Sequence, residues 1–383
     1  ALMVSTASRV GTGNIVGVSS AICIGGVGSV FWMWIIAILG SASALAESTL
    51  AQIYKKKGED GRCYGGPAYY IEAALHSRGL AVVFCITMIL TYAFGFNMLA
   101  SYNLQSTFAG QPFYNADITP WIIGGILALV MGWCLLGGGN RIVKVTSTLV
   151  PFMGIAYILV SLLVVVLNIG QLPSVMAQIF KEAFDFKAIF AGFAGSAMMQ
   201  GIRRGLYSNE AGIGSAPNAA ASAVVSHPVK QGLVQMLSVF IDTLLLCTAT
   251  AMMCLVSGVI PAKELQGAPW VQAALHKTLG SFGPYFIMIA MVLFAFTTLL
   301  GNCFYCDNLL TYIHKKQPDR KFMTGFRIVS ALAVFWGAGM EMTLLWHISD
   351  VLMGFQIVTN VLEMANSQEY ATMLMEANYD AYS

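Results

Sequence analysis

The sequence predicts an all-α polytopic membrane protein of about ten transmembrane helices, set in a 5+5 inverted repeat with the first and sixth helices broken. Three observations predict it. First, 57% of the 383 residues are hydrophobic and only 10% are charged, whereas a soluble domain carries about a quarter charged residues. With a mean hydropathy of +0.71, such a chain cannot cover itself with polar surface in water. Second, apolar runs near the ~20 residues that span a bilayer recur along the whole chain. Third, the basic residues fall on alternate loops.

The runs lie, in order, near 2–24, 30–54, 80–107, 119–137, 143–168, 188–206, 229–257, 283–312, 323–340 and 344–365. The first and sixth are interrupted by glycines and polar residues, and the last is the least apolar. If the first helix runs from cytoplasm to outside, loops 55–78, 138–144, 203–230 and 313–327 are cytoplasmic and hold 15 of the 20 basic residues. That is the positive-inside bias, and one helix more or fewer midway would destroy it. "GGPAYYIEAALHSRG" (65–79) reads as an amphipathic helix on the cytoplasmic face. "PAKELQGAPWVQAALHKTLGSFGP" (261–284) reads as an outer re-entrant or surface helix. The expected organisation is a first repeat over 1–168, an outer connection over 169–187, a second repeat over 188–365 and a polar tail over 366–383. The opening "ALMVSTASRV" has neither an initiator Met nor a basic n-region, so a preceding portion is expected to be missing.

The eight cysteines lack paired metal-ligand spacing and read as small packing residues. The five histidines sit in loops or near helix ends with no H-E-x-x-H, which argues against a membrane enzyme. The net charge of +2 and the absence of a basic cluster with interleaved aromatics give no sign of nucleic-acid binding.

"RVGTGNIVG" (9–17) admits two functional readings. A dinucleotide loop needs G-x-G-x-x-G after a strand and an acidic residue about 20 positions on. Here Gly11, Gly13 and Gly17 are spaced one residue too long, the flanks are membrane-like, and the first carboxylate is Glu47. A broken membrane helix explains more. Non-helical backbone at this depth is tolerated where it lines a cavity. The half-helix that begins at the break presents N–H groups to a carboxylate, and the one that ends there frees carbonyls for a cation. A small-residue packing kink is the plainer alternative.

"ASRVGTGNIVGV", "GGVGSVFWMW", "GGPAYYI" and "SNEAGIGSAPNAAA" closely resemble the alanine/glycine:cation symporter family, from about residue 1 to 362. The resemblance implies a leucine-transporter-like fold and uptake of small neutral amino acids with Na⁺, less often H⁺. It also implies one helix before the core, consistent with a missing N-terminal portion. By the same resemblance, substrate contacts are Thr12 and Gly13 amides, the Asn14 side chain, Gly195 and Ser196 as the unwound part of the sixth helix, and Gln200. The Na⁺ ligands are the carbonyls of Ala7 and Val10 and the hydroxyls of Thr297 and Thr298. Such neutral oxygens suit a hard cation, although a threonine pair in a helix also commonly bonds back to carbonyls. Ala100 and Asn302 depart from the family, standing where many members have a Gln and a Trp, and "QIVTN" replaces a Pro-Asn. Asn302 in place of Trp should enlarge and polarise the pocket, so glutamine joins alanine and glycine as an expected substrate.

Ionisable residues inside the bilayer are costly and mark function or pairing. Arg9, Glu210 and Asp242 are expected to pair or gate. Glu210 is assigned to the cytoplasmic gate with Arg203, Arg204 or a basic loop as partner, and Asp242 is the proton-coupling candidate if Na⁺ is not the coupling ion. The expected protein is a multi-pass cell-membrane symporter, bacterial and monomeric, whose partners are a small neutral amino acid and the bilayer. An H⁺-coupled transporter, a channel, and a non-transporting truncated paralogue or amino-acid sensor remain the alternatives.

Overall fold

The computed structural model describes residues 2–58, 63–136, 138–185 and 192–365. The expected tail 366–383 and the head of the sixth run, 188–191, lie outside them. Among the described residues, seven helices are long and apolar enough to cross a membrane. They match the second, third, fourth, fifth, seventh, eighth and tenth expected runs.

In chain order, α1 (Leu2–Arg9) leads through a π-helical turn, Gly13–Gly17, into α2 (Val18–Gly25), and α3 spans Ser29–Ile53. A two-strand hairpin, Lys56–Lys57 against Cys63–Tyr64, precedes α4 (Pro67–Leu75). Helix α5 (Arg78–Ile89) continues through a π stretch, Leu90–Gly95, into α6 (Phe96–Ser106). There follow α7 (Thr119–Leu136), α8 (Gly138–Leu167), α9 (Leu172–Ala183), α10 (Ala197–Asn209) and α11 (Ala216–Ala220). Then α12 (Pro228–Val239) passes through the π stretch Phe240–Cys247 into α13 (Thr248–Val256), followed by α14 (Ala268–Leu279), α15 (Phe282–His314), α16 (Arg320–Ala338) and α17 (Met342–Ala365). The surface helix expected within 65–79 is α4, which starts on Pro67 and buries Pro67, Ala68, Tyr70 and Ile71. The one expected within 261–284 is α14, pinned by Trp270, whose ring N–H donates to the Val259 carbonyl at 3.1 Å.

Lipid tails are as apolar as leucine, so helices in a bilayer associate through close backbone approach and polar contacts rather than through apolar burial. The α3–α10 contact is built that way: Gly201 lies on Ser29 and Trp32, and Gly205 on Ile36 and Met33. Farther along, Gly40 meets Ala211, Gln52 donates to the Ala220 carbonyl, and Gly65 meets Ala221. The segment 197–221 therefore runs parallel to α3, from the Ser29 end to the Gly65 end. Facing outward, Phe152, Ile155, Leu159 and Leu162 of α8 are exposed, as a lipid-facing stripe requires.

This path corrects one expectation. Arg203 and Arg204 belong to α10, near the Ser29 end of α3, and not to a loop at the Lys55 end. Removing them leaves 13 of the 20 basic residues on the supposed cytoplasmic loops, so the bias persists. In the sixth run, Phe193–Gly195 is a 3-10 turn and Ser196 is extended. Gly195 and Ser196 form the head of α10, where the Ser196 hydroxyl caps the helix by accepting from the Met199 N–H at 3.2 Å. A further break falls between Asn209 and Ala216, where Glu210, Gly212 and Gly214 take left-handed backbone with φ of 53°, 79° and 90°.

Candidate functional site at two facing helix breaks

The first break begins where α1 stops at Arg9. The Gly11 N–H turns aside to the Asn14 Oδ1 at 2.8 Å, so the Ala7 carbonyl loses the donor that an α-helix would give it. A Cβ built on Gly11 would fall 1.9 Å from the Thr298 Oγ1, so only glycine leaves room for that hydroxyl. Thr298 Oγ1 is buried and has no hydrogen-bond partner among the described residues. An orphaned hydroxyl aimed at freed carbonyls fits a cation ligand. Thr297 does not behave alike: its hydroxyl bonds back to the Leu293 and Phe294 carbonyls at 3.0 and 3.1 Å. Of the expected pair, Thr298 alone offers its oxygen to the break.

The second break lies against the first. Gly13 faces the Tyr207 ring and the Ser208 Cα, 3.1 and 3.3 Å from its would-be Cβ, and Ser8 Oγ lies 2.7 Å from Glu210 Oε1. Ser196 is eleven residues before Tyr207, about 16 Å along the helix at ~1.5 Å per residue. Gly195 is exposed with nothing near its Cβ position. Gln200 packs against Gly25, at the outer turn of α2. The expected substrate contacts Gly195, Ser196 and Gln200 therefore stand well away from Thr12, Gly13 and Asn14.

Asn14 ties the two breaks together. With its Oδ1 held by Gly11, its Nδ2 donates to Asp242 Oδ1 at 2.7 Å and to Ser208 Oγ at 3.1 Å. Asp242 Oδ2 accepts from Ser208 at 2.9 Å and Thr243 at 3.0 Å. Asp242 lies in the π stretch Phe240–Cys247, and the other two π stretches also surround the site, which is where such distortions concentrate. Thr12 Oγ1 accepts from Asn103 Nδ2 at 3.3 Å. Asn302 has both ends engaged: its Oδ1 is 2.8 Å from Ser8 Oγ, and its Nδ2 donates to Asn97 Oδ1 at 2.9 Å.

On the Ser29 side of Gly13, Tyr207 sits edge-on between Phe96 and Trp346, with centroids 4.9 and 4.8 Å away. Above it the Arg204 guanidinium lies 3.8 Å over the Trp346 ring and 2.7 Å from Asp350 Oδ2, and Arg203 is 3.7 Å from the same oxygen. These arginines thus serve Asp350, not Glu210 as expected. Glu210 instead meets Ser8, in the last turn of α1, and Ser215, on the second break. Arg9, almost wholly buried, donates to the Gln235 carbonyl and Oε1 at 3.3 and 3.1 Å. It acts on Glu47, Glu210 and Asp242 only electrostatically, without an ion pair to any of them among the described residues. Glu47 Oε2 accepts from the Gly214 N–H and from Asn360 Nδ2, anchoring the second break to α3 and α17.

The sequence reading missed Ser8, Asn97, Tyr207, Ser208 and Trp346. Ser8 stood within the quoted "ASRVGTGNIVGV" and Ser208 within "SNEAGIGSAPNAAA", but Asn97, Tyr207 and Trp346 carry no signal until the helices are brought together.

Known proteins agree with this architecture. A sequence model of the sodium:alanine symporter family matches residues 1–381. The "Probable sodium/glutamine symporter GlnT" of Bacillus subtilis (strain 168) is 42% identical over 94% of this chain and 74% of its own length. The "Sodium/proton-dependent alanine carrier protein" of Bacillus sp. (strain PS3) is 34% identical over 94% of this chain and 83% of its own. Among solved structures, MhsT in complex with L-phenylalanine, a leucine-transporter-like protein, superposes with a TM-score of 0.62 at 13% identity, covering 94% of this chain and 87% of that one. Its likeness establishes the fold. Sequence and fold together make this multi-pass membrane protein a secondary amino-acid symporter rather than an enzyme, and the chain belongs to the sodium:alanine symporter family.

Proposed function

We propose that the protein carries a small neutral amino acid together with Na⁺ by alternating access around the two facing breaks. Residues 1–168 and 188–365 act as inverted halves of five helices each, ten in all, joined by 169–187. The observation that carries the Na⁺ reading is the orphaned Thr298 hydroxyl held 1.9 Å from where a Gly11 Cβ would be, beside a carbonyl freed at Ala7. Ala7, Val10 and Thr298 oxygens would take Na⁺ as co-substrate. The segment beginning at Gly13 directs its amide end at the substrate carboxylate, and the carbonyl end of α10 at Asn209 favours the ammonium. Tyr207 covers the site from the α10 side.

Alanine and glycine are the first substrates to expect, and glutamine the larger one. Asn302 supports the polar option only indirectly, because both ends of its amide are engaged by Ser8 and Asn97. Names of relatives support each substrate in turn: one is called a sodium/glutamine symporter and another an alanine carrier. Helices α1–α3 with α10–α13 would rock against the rest, driven by the Na⁺ gradient and by the membrane potential at about 2.3 kcal/mol per charge per 100 mV. The test is uptake of labelled alanine and glutamine into proteoliposomes with an inward Na⁺ gradient or with choline in its place. Accumulation only with Na⁺ supports the reading, and uptake indifferent to Na⁺ rejects it.

A further inference from the structure

Resting on the transport reading, the inference concerns a proton at the same pair of breaks, and hydrogen-bond directions carry it. Asn97 Nδ2 donates to the Ala93 carbonyl at 3.3 Å, an acceptor with no proton to give. That leaves Asn97 Oδ1 to accept from Asn302 Nδ2 at 2.9 Å, so Asn302 Oδ1 faces Ser8. Ser8 has one hydroxyl proton, and Asn302 Oδ1 at 2.8 Å takes it. Ser8 Oγ then has only lone pairs to offer Glu210 Oε1, 2.7 Å away. Two buried oxygens at that distance require a proton between them. Among the described residues, the Glu210 carboxyl is left to supply it, and its other oxygen, Oε2, accepts from Ser215 Oγ at 2.8 Å. Reversing both amides would set Asn97 Oδ1 against the Ala93 carbonyl, two acceptors with nothing to share.

Asp242 shows the opposite pattern. Asn14 is oriented by the Gly11 N–H, so its Nδ2 must donate to Asp242 Oδ1, and the Ser208 and Thr243 hydroxyls are free to donate to Oδ2. Three donors on two oxygens suit an ionised carboxylate. The expectation that a coupling proton would sit on Asp242 therefore moves to Glu210.

We propose that Glu210 is a proton-binding site of this transporter, loaded on Oε1 while the two breaks are in contact and emptied when Ser8 and Glu210 part. The groups that face it make unloading feasible. Arg9 at the end of α1 favours the carboxylate once the Ser8 contact is broken. Asp242 from the α12–α13 span favours the proton, and Tyr92, Tyr207 and Tyr305 add neutral hydroxyls around it. Loading and unloading transfer one proton between water and the Glu210 carboxyl, with no other bond made or broken.

Two measurements test this. Infrared spectra of the purified wild-type protein at pH 7 should contain a protonated carboxylic-acid C=O band that is missing in Glu210→Gln and shifted in Ser8→Ala. In proteoliposomes with a fixed Na⁺ gradient, wild-type uptake should change up to tenfold per pH unit on one side of a single midpoint, and Glu210→Gln should be flat across the same range. Gln suits the comparison because its Nε2 can donate to Ser8 as the protonated carboxyl does. If Glu210→Gln fails to fold, the Ser8→Ala infrared shift decides alone. A wild-type spectrum without a protonated-acid band sensitive to Ser8→Ala overturns the proposal, and so does a Glu210→Gln protein with the wild-type pH profile. Absence of any wild-type uptake would sink the transport reading instead, leaving the infrared result to judge the proton.

Discussion

Gly11 and Thr298 occupy one space: a Cβ on Gly11 would lie 1.9 Å from the Thr298 hydroxyl oxygen. Threonine is short and β-branched, so it cannot swing far out of the way. Gly11→Ala is expected to destabilise the protein by about 1–3 kcal/mol through overpacking and to abolish Na⁺-driven uptake. Thermal unfolding in detergent and uptake assays check both. An active, equally stable Gly11→Ala protein would show that the two segments are not held so close.

Thr298→Val keeps the shape of the side chain and removes only the orphaned hydroxyl. Its expected effect is at least a tenfold loss in apparent Na⁺ affinity, about 1.4 kcal/mol, with little change in unfolding temperature. Thr297→Val should leave Na⁺ affinity within about twofold, because that hydroxyl already serves the Leu293 and Phe294 carbonyls. The Na⁺ dependence of uptake in the two variants separates them, and the reverse order would shift the cation site to the other face of α15.

What the sequence discloses about this site follows from period and polarity. Continuous apolar runs located the seven long spans within a few residues, because a bilayer demands length and little else. The first break was legible since Gly-Thr-Gly-Asn interrupts an otherwise apolar run. The break at 210–215 was hidden because a polar break and a polar loop look alike: "SNEAGIGS" reads as a cytoplasmic turn until α10 and α11 are seen to run along α3. The distinction between Thr297 and Thr298 was hidden for another reason. Neighbours on a helix point about 100° apart, and which one faces α1 depends on the rotation of α15, set by packing across the whole bundle. Ser8 and Asn302 are 294 positions apart, so no local pattern could join them.

Arg204 is buried and Asp350 is its close charged partner. Breaking a buried pair by removing one side leaves the other charge uncompensated, at a cost of about 3–5 kcal/mol. Asp350→Asn should therefore destabilise more than Arg204→Met, which removes the buried charge and leaves an apolar chain on Trp346. Arg204→Lys should not rescue, because an ammonium lacks the flat face that stacks on the ring. Unfolding midpoints of the three variants test the order, and equal losses in all would argue that the pair is already hydrated.

At the cytoplasmic-facing surface expected for α4, the Tyr312 hydroxyl donates to Glu72 Oε2 at 2.6 Å, and Arg78 lies 3.6 Å from Oε1. The Tyr312 hydrogen bond, with the Arg78 charge behind it, holds the Glu72 carboxyl below its ordinary value of 4.5. A lowered folded value means the stabilisation is complete above the unfolded value and is lost as pH falls through the folded one. Glu72→Gln should thus unfold at a lower temperature than wild type at pH 7. The two should converge as pH falls through the folded Glu72 value. A gap that persists in acid would mean the side chain contributes by packing instead.

Asn14 and Asp242 form a directed pair, since Gly11 fixes the Asn14 amide and leaves only its Nδ2 for Asp242 Oδ1 at 2.7 Å. Asn14→Asp removes that donor and sets two carboxylates against each other in a buried site. It also keeps the acceptor for Gly11, so any loss comes from the Asp242 side. Uptake should fall by at least a hundredfold. Asp242→Asn alone should fold, because the Ser208 and Thr243 hydroxyls can turn to accept from the new amide. Exchanging both residues, Asn14→Asp with Asp242→Asn, restores one donor facing one acceptor and keeps the Gly11 cap. The double exchange should therefore recover stability and part of the uptake lost in Asn14→Asp, a coupling of about 1–3 kcal/mol on a double-mutant cycle. Independent effects of the two substitutions would show that the breaks are held in register by something other than this bond.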